Sequence, residues 1–499
     1  MKKEIILNFM FTFLTSVIAF FQNKYFVEYM GIETLGIMKL FSQLLQYLNI
    51  VEMGLGSAST FSLYKPLAEK DYKQVSIILS TIKNSYNKIA ILLFALGMIL
   101  TPILPFFIKM QSFNKMIYIY WLLYMLNTVS MYLFIKYVIL FTANQEFIYV
   151  RFIQSLSKFI YQILQIWLII KYHSFLIFII LLILDNLTQY ILFKRYFNKN
   201  YSFIYSTKER YKELNRDIKN LFWHKIGILV VFNTDLILIS KFGSIEVVGI
   251  YANYQLVVQM ITTVINIVVN VIRPKIGKYI AINSKEKIYK LFKKINIIFL
   301  LIGIIFSYCT CILINYFISL WIGKEYTLSN LSVQLICINI FTMCFRVILD
   351  TFKDGSGFFD DIQCPILESI INLVFSIILG IKYGLNGIIM GTIISNISII
   401  LIYKPILTFK RCFNQELKEY VKVYGNYLIL IIISLLSLNK IIKIFIVDEI
   451  NSWLNWILYS IKISIFTSIV LSIVFLLSKE FRSILKEIYY NFFKEVKNE

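Results

Sequence analysis

Histidine is nearly missing from this chain, with His173 and His224 the only two in 499 residues. That removes the commonest general base and the commonest zinc ligand from consideration. Cysteine offers no substitute. All six (Cys309, Cys311, Cys337, Cys344, Cys364 and Cys412) fall in the second half, mostly inside apolar runs, and none makes a CxxC pair. Neither a disulfide framework nor a thiolate metal site is expected, and no cofactor is implied. Proline is scarce as well, at six residues, which leaves long stretches without a helix breaker. Acidic residues number 28 against 50 lysines and arginines, a formal charge of +22. Such an excess can signal nucleic acid, but here the cations punctuate apolar runs instead of covering one folded face, so no nucleic-acid partner is expected.

What the chain has in excess is apolar surface. Its 59% hydrophobic content and mean hydropathy of +0.73 exceed what a water-soluble fold needs, and imply an all-α polytopic membrane protein. The N-terminal stretch MKKEIILNFMFTFLTSVIAFFQNKYF has a basic start and a long apolar body without a small-residue cleavage site, so it is expected to stay on as a first span. A helix crosses the hydrocarbon core in about 20 apolar residues. Runs of that length lie near 5–26, 36–64, 85–107, 116–141, 152–170, 174–193, 221–240, 247–271, 295–318, 331–351, 365–381, 385–407, 423–438 and 453–477, about fourteen in all.

Alternate loops between these runs are rich in Lys and Arg. One such series holds Lys2 and Lys3, then Lys65 to Lys83, Lys194 to Lys219, Arg273 to Lys294, Lys410 to Lys418 and the tail from Lys479. Loops of this kind stay cytoplasmic, so both termini are expected there. The longest polar interruption, Arg195 to Lys219, follows the sixth run. The expected organisation is therefore a six-helix bundle over 1–194, a cytoplasmic linker over 195–220, a second six-helix bundle over 221–407, and an added helix pair with a tail over 408–499. The loops on the other side, around Trp321 to Ser329 and Lys440 to Ser452, are too short for a catalytic domain.

The two bundles read as copies of each other. Residues 29–83 carry Gly31, a Glu-Thr pair, Gly36, an apolar run and Lys65-Pro66; residues 241–294 carry Gly243, an Ile-Glu pair, Gly249, an apolar run and Arg273-Pro274.

Ionisable groups inside a span are costly and mark candidate function. Glu52 sits beside Gly54 and Gly56, whose missing side chains let helices approach. Asp185, with Asn186 and Gln189, forms a polar face of the sixth span, and Asp235, with Asn233 and Thr234, one of the seventh. Arg346 and Asp350 stand four apart and share a helix face, where they either neutralise each other or meet a ligand. Lys24 belongs to the polar triplet Gln22-Asn23-Lys24 of the first span. The candidates are Lys24, Arg346, Asn233 and Gln189 as substrate contacts, and Glu52, Asp185, Asp235 and Asp350 as coupling or cavity carboxylates. Lys136, Lys404 and the pair His224-Lys225 lie near cytoplasmic ends and are expected to snorkel to the interface. Arginine or lysine would hold a phosphate, and Asn, Gln, Ser and Tyr would meet sugar hydroxyls.

The segment GIETLGIMKLFSQLLQYLNIVEMGLGSASTFSLYKPLAEKDYKQ, near the start of a chain with this many spans, resembles the polysaccharide-biosynthesis flippases of bacterial envelopes. These include O-antigen and capsule repeat-unit exporters, within the superfamily that also holds multidrug extruders. The resemblance implies two pseudo-symmetric six-helix bundles around a central cavity, alternating access, and a place in a bacterial cytoplasmic membrane. It implies transfer of an undecaprenyl-pyrophosphate-linked oligosaccharide between leaflets, with membrane lipids, a polysaccharide polymerase and chain-length machinery as partners, and no enzymatic step. Three alternatives stay open at the level of sequence. They are a multidrug exporter, which would favour an acidic aromatic cavity; a peptidoglycan-precursor exporter, which would favour several arginines in the first spans; and a membrane polymerase or glycosyltransferase, for which Glu28 and Glu33 in one short turn are thin support.

Overall fold

Inside hydrocarbon a backbone must satisfy its own N–H and C=O groups, and a chain this apolar does so by coiling into helices. The computed structural model describes residues 2–49, 55–108, 115–211, 234–358, 363–442 and 450–487, and among them there is no strand. Eleven helices among the described residues are long and apolar enough to cross a membrane. They match eleven of the fourteen expected runs. The first run is also helical, as is the second on either side of 50–54, which lie outside the described residues together with most of the seventh, 221–240. The protein is a multi-pass, all-α membrane protein.

Two compact units divide the chain, Met1–Gly249 and Ile250–Glu499. In the first, α1 (Lys2–Met30) lies along α8 (Phe147–Tyr172), which packs on α9 (Phe175–Asn200). The long α4 (Tyr72–Leu100) continues through a 3-10 turn into the short α5 (Leu104–Phe107), and α6 (Met116–Met131) is followed by α7 (Ile135–Ala143). α2 (Ile32–Leu48) and α3 (Leu55–Ala68) cover the same bundle, and α10 (Asp235–Phe242) packs on α2. Outward positions such as Phe61, Ile91, Ile99 and Trp167 stay exposed, as a face meeting lipid requires.

The second unit repeats much of this order. α11 (Ile245–Ile282) starts at the end of the first unit. It is followed by α12 (Lys285–Trp321), α13 (Asn330–Gly355), α14 (Gln363–Tyr383) and α15 (Leu385–Asn396). α15 runs through π-helical turns at Ile397–Tyr403 into α16 (Lys404–Cys412). α17 (Leu417–Ile442) and α18 (Trp453–Phe475) form the additional pair, packing on each other and on α12. Phe292, Phe352, Phe409 and Phe413, all buried, tie α12, α13 and α16 together edge to face.

The paired glycines of the sequence repeat have a shared structural reason. Within the first unit Gly36, one turn into α2, lies against the first turn of α11, where a Cβ would run into the carbonyl of Ile245. A Cβ on Gly249 would in turn run into the carbonyl of Ile32. The second glycine of each copy is what lets these two backbones touch.

Past α9 the chain turns extended and is tied down along α4. The backbone amide of Tyr205 donates to Ser76 (3.2 Å), that of Thr207 to Ser80 (3.0 Å) and that of Tyr211 to Thr81 (3.1 Å). Three hydroxyls on one helix thus supply acceptors that a sheet neighbour would otherwise offer. At the foot of this strap Tyr201 donates to Glu146 (2.7 Å) and accepts from Asn144 (2.7 Å); burial and then the Glu146 bond raise its phenol well above the ordinary value, so it remains a donor.

Candidate functional site

α8 carries a polar face at helical spacing: Gln154, Ser157, Lys158, Tyr161, Gln162 and Gln165. Facing it, α9 presents Asp185, Asn186, Thr188 and Gln189. The Ser157 hydroxyl donates to Asp185, Gln189 donates to the same carboxylate oxygen at 3.0 Å, and Tyr161 and Thr188 pair at 2.8 Å. From α1, Gln22 donates to Gln165 (2.6 Å) and accepts from Gln162 (3.3 Å). A hydrogen-bonded layer thus runs through three apolar helices, and inside a bilayer such a layer persists only when its members satisfy one another.

Between α6, α8 and α9 the layer opens into a cavity of about 310 Å³. Its wall sets Asn49, Thr128, Gln154, Lys158, Asp185 and Gln189 beside the apolar Met131, Phe134 and Ile135, with the Tyr132 hydroxyl donating to Asn49. One cation and one carboxylate share it with amides and hydroxyls.

Its floor is a clasp that the second unit reproduces. The Asn186 amide nitrogen reaches the Asn127 side-chain oxygen (2.9 Å) and the Ser130 hydroxyl (2.9 Å), and Ser130 donates to the Asn127 carbonyl (2.6 Å). In the second unit the Asn396 amide nitrogen reaches the Asn339 oxygen (3.0 Å) and the Thr342 hydroxyl (3.3 Å), and Thr342 donates to the Asn339 carbonyl (2.9 Å). Both clasps sit about 210 residues apart, the spacing of the glycine pairs.

Beside its clasp the second unit holds charge. Arg346 on α13 pairs with Glu368 on α14, and Asp350, one turn along α13, pairs with Lys404 at the start of α16. Arg346 and Asp350 therefore share a face, as their spacing requires, but each is answered by a different helix. Lys404 departs from expectation: it does not snorkel to an interface but is buried, 9% exposed, against Asp350. The cause is the π stretch before it. Lys404 stands eight residues after Asn396, which an α-helix would rotate about 80° off that residue's face. The wider π turns bring it back toward α13. Nearby, the Ser376 hydroxyl donates to Asn372 (3.2 Å) and to the Ile388 carbonyl (3.1 Å), and Asn372 donates to Thr392 (3.3 Å).

Of the residues singled out by sequence, Asp185 and Gln189 meet in the first cavity, and Arg346 and Asp350 in the charged ladder. Lys24 is half-buried on α1, one turn-segment from Gln22, with no ion pair among the described residues. Asp235 opens α10, half-buried and within electrostatic reach of Tyr47. Glu52, Asn233, His224 and Lys225 lie outside the described residues. Lys136 stands over the Tyr137 ring at 4.6 Å. Lys158, Glu368 and the Asn127 and Asn339 clasps were not among the expected site residues. The polar period along α8 is a signal for Lys158 in the sequence itself.

This arrangement has relatives among solved structures. Across 96% of the chain and 100% of the other, the fold superposes on the lipid II flippase MurJ in an inward closed conformation, with a TM-score of 0.66 and 17% identity. An inward-facing multidrug resistance MATE family transporter of the MOP superfamily matches over 78% of this chain and 92% of its own, with a TM-score of 0.59 and 10% identity. The MATE multidrug transporter DinF-BH matches over 82% and 94%, at 0.57 and 14%. No curated protein matches the chain by sequence. At these identities the likeness is one of fold, a transporter fold in each case. The sequence itself goes further: residues 1–280, more than half of the chain, match the polysaccharide biosynthesis protein family, and to that family the chain belongs.

Proposed function

We propose that the protein is a flippase that carries an undecaprenyl-pyrophosphate-linked oligosaccharide repeat unit from the cytoplasmic to the outer leaflet for surface polysaccharide synthesis, by alternating access. The observation that carries this reading is the polar layer of α1, α8 and α9, in which amides and hydroxyls outnumber charges inside membrane-spanning helices. Carrying a pyrophosphate and several sugars through hydrocarbon unaided forfeits a full set of hydrogen bonds and charge solvation. Side chains of this kind replace the lost water partners one by one, while the lipid tail stays in the bilayer. Lys158 and Arg346 offer cations to phosphate, Gln189 an amide to sugar hydroxyls, and Lys24 a further cation; Asp185 and Asp350 are the coupling carboxylates. Asp235, and Glu52 and Asn233 beyond the described residues, complete the set. In this reading the protein sits in a bacterial cytoplasmic membrane with both termini inside, makes and breaks no covalent bond, and works beside a polymerase and its chain-length partner.

A second reading has one observation in its favour. Fold similarity to the lipid II flippase MurJ extends over nearly the whole chain, and a peptidoglycan precursor shares the pyrophosphate and the polyprenyl tail. The decisive measurement is leaflet-resolved detection of both lipid-linked sugars in cells depleted of the protein. The polysaccharide repeat unit should accumulate intact on the cytoplasmic face while surface polymer falls. Accumulation of the peptidoglycan precursor instead would select the second reading. A repeat unit on the outer face in normal amounts, without a redundant flippase, would exclude the first.

A further inference from the structure

A second cavity lies in the Ile250–Glu499 unit, away from the clasp and the charged ladder, where the basic ends of α12 and α17 meet the segment after α18. Its volume is about 420 Å³. The polar end is set by Lys293, Lys422, Lys479, Glu419 and Glu480. Both carboxylates have partners within the protein: Glu419 accepts from Tyr289 (3.2 Å) and sits 3.9 Å from Lys422, and Glu480 accepts from Ser478 (3.0 Å). Lys293 lies over the Tyr289 ring at 4.7 Å, and neither it nor Lys479 has an anionic partner among the described residues. The opposite wall is apolar, formed by Val423, Leu430 and Ile433, and it opens onto Ile429 and Leu477, which are 56% and 63% exposed.

We propose that this cavity is a binding site for a single anionic phospholipid, its phosphate between Lys293 and Lys479 and an acyl chain along the Ile429 and Ile433 side of α17. Two unanswered cations at one end and an exposed apolar channel at the other fit a molecule with a charged head and a greasy tail. A soluble anion would use only the first, and a neutral lipid only the second. Lysines at this level of a spanning helix attract the anionic leaflet. The site belongs to the helix pair outside the repeat, so it does not depend on what the repeat carries. Its role would be to hold α17 and α18 against α12.

The test is a titration of the full-length protein, in neutral detergent, with phosphatidylglycerol, phosphatidylethanolamine, phosphatidylcholine and inorganic phosphate in separate arms. Phosphatidylglycerol should raise the melting midpoint by about 3 °C or more, and the other three should not. The Lys293→Gln, Lys479→Gln double variant should lose that rise, and the Lys293→Arg, Lys479→Arg variant should keep it. Native mass spectrometry supplies a second measurement independent of melting: one tightly retained phosphatidylglycerol on the parent and the arginine variant, none on the glutamine variant. An equal rise with phosphatidylethanolamine, phosphatidylcholine or phosphate alone would overturn the proposal, as would an unchanged rise and unchanged retention in the glutamine variant.

Discussion

Arg346 and Glu368 are paired across α13 and α14 with side chains only 18% and 7% exposed. Breaking a buried pair from one side leaves a charge without its partner, at a cost of about 3–5 kcal/mol, whereas replacing both ions with apolar groups is often neutral. Arg346→Met and Glu368→Met should each lower the melting midpoint sharply, and the double variant should recover most of the loss. A double variant no better than the worse single one would show that the two residues are not coupled.

The repeated clasp gives a paired expectation. Asn186→Ala and Asn396→Ala each strand a hydroxyl and an amide oxygen in the interior, so each should destabilise by about 1–3 kcal/mol. Denaturant unfolding of the two variants checks it. A large loss in one and none in the other would mean that the two clasps are equivalent in geometry alone.

How far these features could be read in the sequence depends on what held them together. Gly36 and Gly249 are legible because each closes a short glycine-bounded phrase, and the two phrases share an Ile-Glu pair. The clasp is not, since Asn127 and Ser130 lie on one run and Asn186 on another, and they become a unit only when α6 and α9 pack. Glu368 is one turn from the start of its apolar run, where a carboxylate on an isolated helix would reach water, and only the neighbouring α13 makes it a buried anion. Lys404 is hidden by the π stretch, because face assignments in a sequence assume 3.6 residues per turn and fail wherever a helix widens.

Transport should be sensitive to the first cavity without loss of the fold. Asp185→Asn keeps an acceptor for Ser157 and Gln189 and removes only the charge, and Lys158→Met keeps the stem and removes the cation. Each should slow leaflet transfer by about tenfold or more, the scale of about 1.4 kcal/mol, at unchanged membrane abundance. Transfer at the parental rate in both variants would remove these two charges from the transport pathway.

Any side chain at Gly36 or Gly249 must push two helix backbones apart. Gly36→Val and Gly249→Val should therefore cost about 2 kcal/mol or more, while Gly277→Ala, where a Cβ meets nothing within 4 Å, should be tolerated. Membrane abundance and melting of the three variants separate these outcomes.

Orientation has a direct check. A single cysteine at Ser206, in the strap along α4, or at Ser284, just before α12, should be shielded from an impermeant thiol reagent in intact cells and react once the cells are opened. Labelling in intact cells would place these basic segments outside.

The contact between Gly36 and Gly249 also bears on what can be changed one residue at a time. Each glycine meets the carbonyl of the residue four before its counterpart, Ile245 for Gly36 and Ile32 for Gly249. Enlarging either residue therefore displaces the same pair of helix turns, and the costs of the two substitutions should not add.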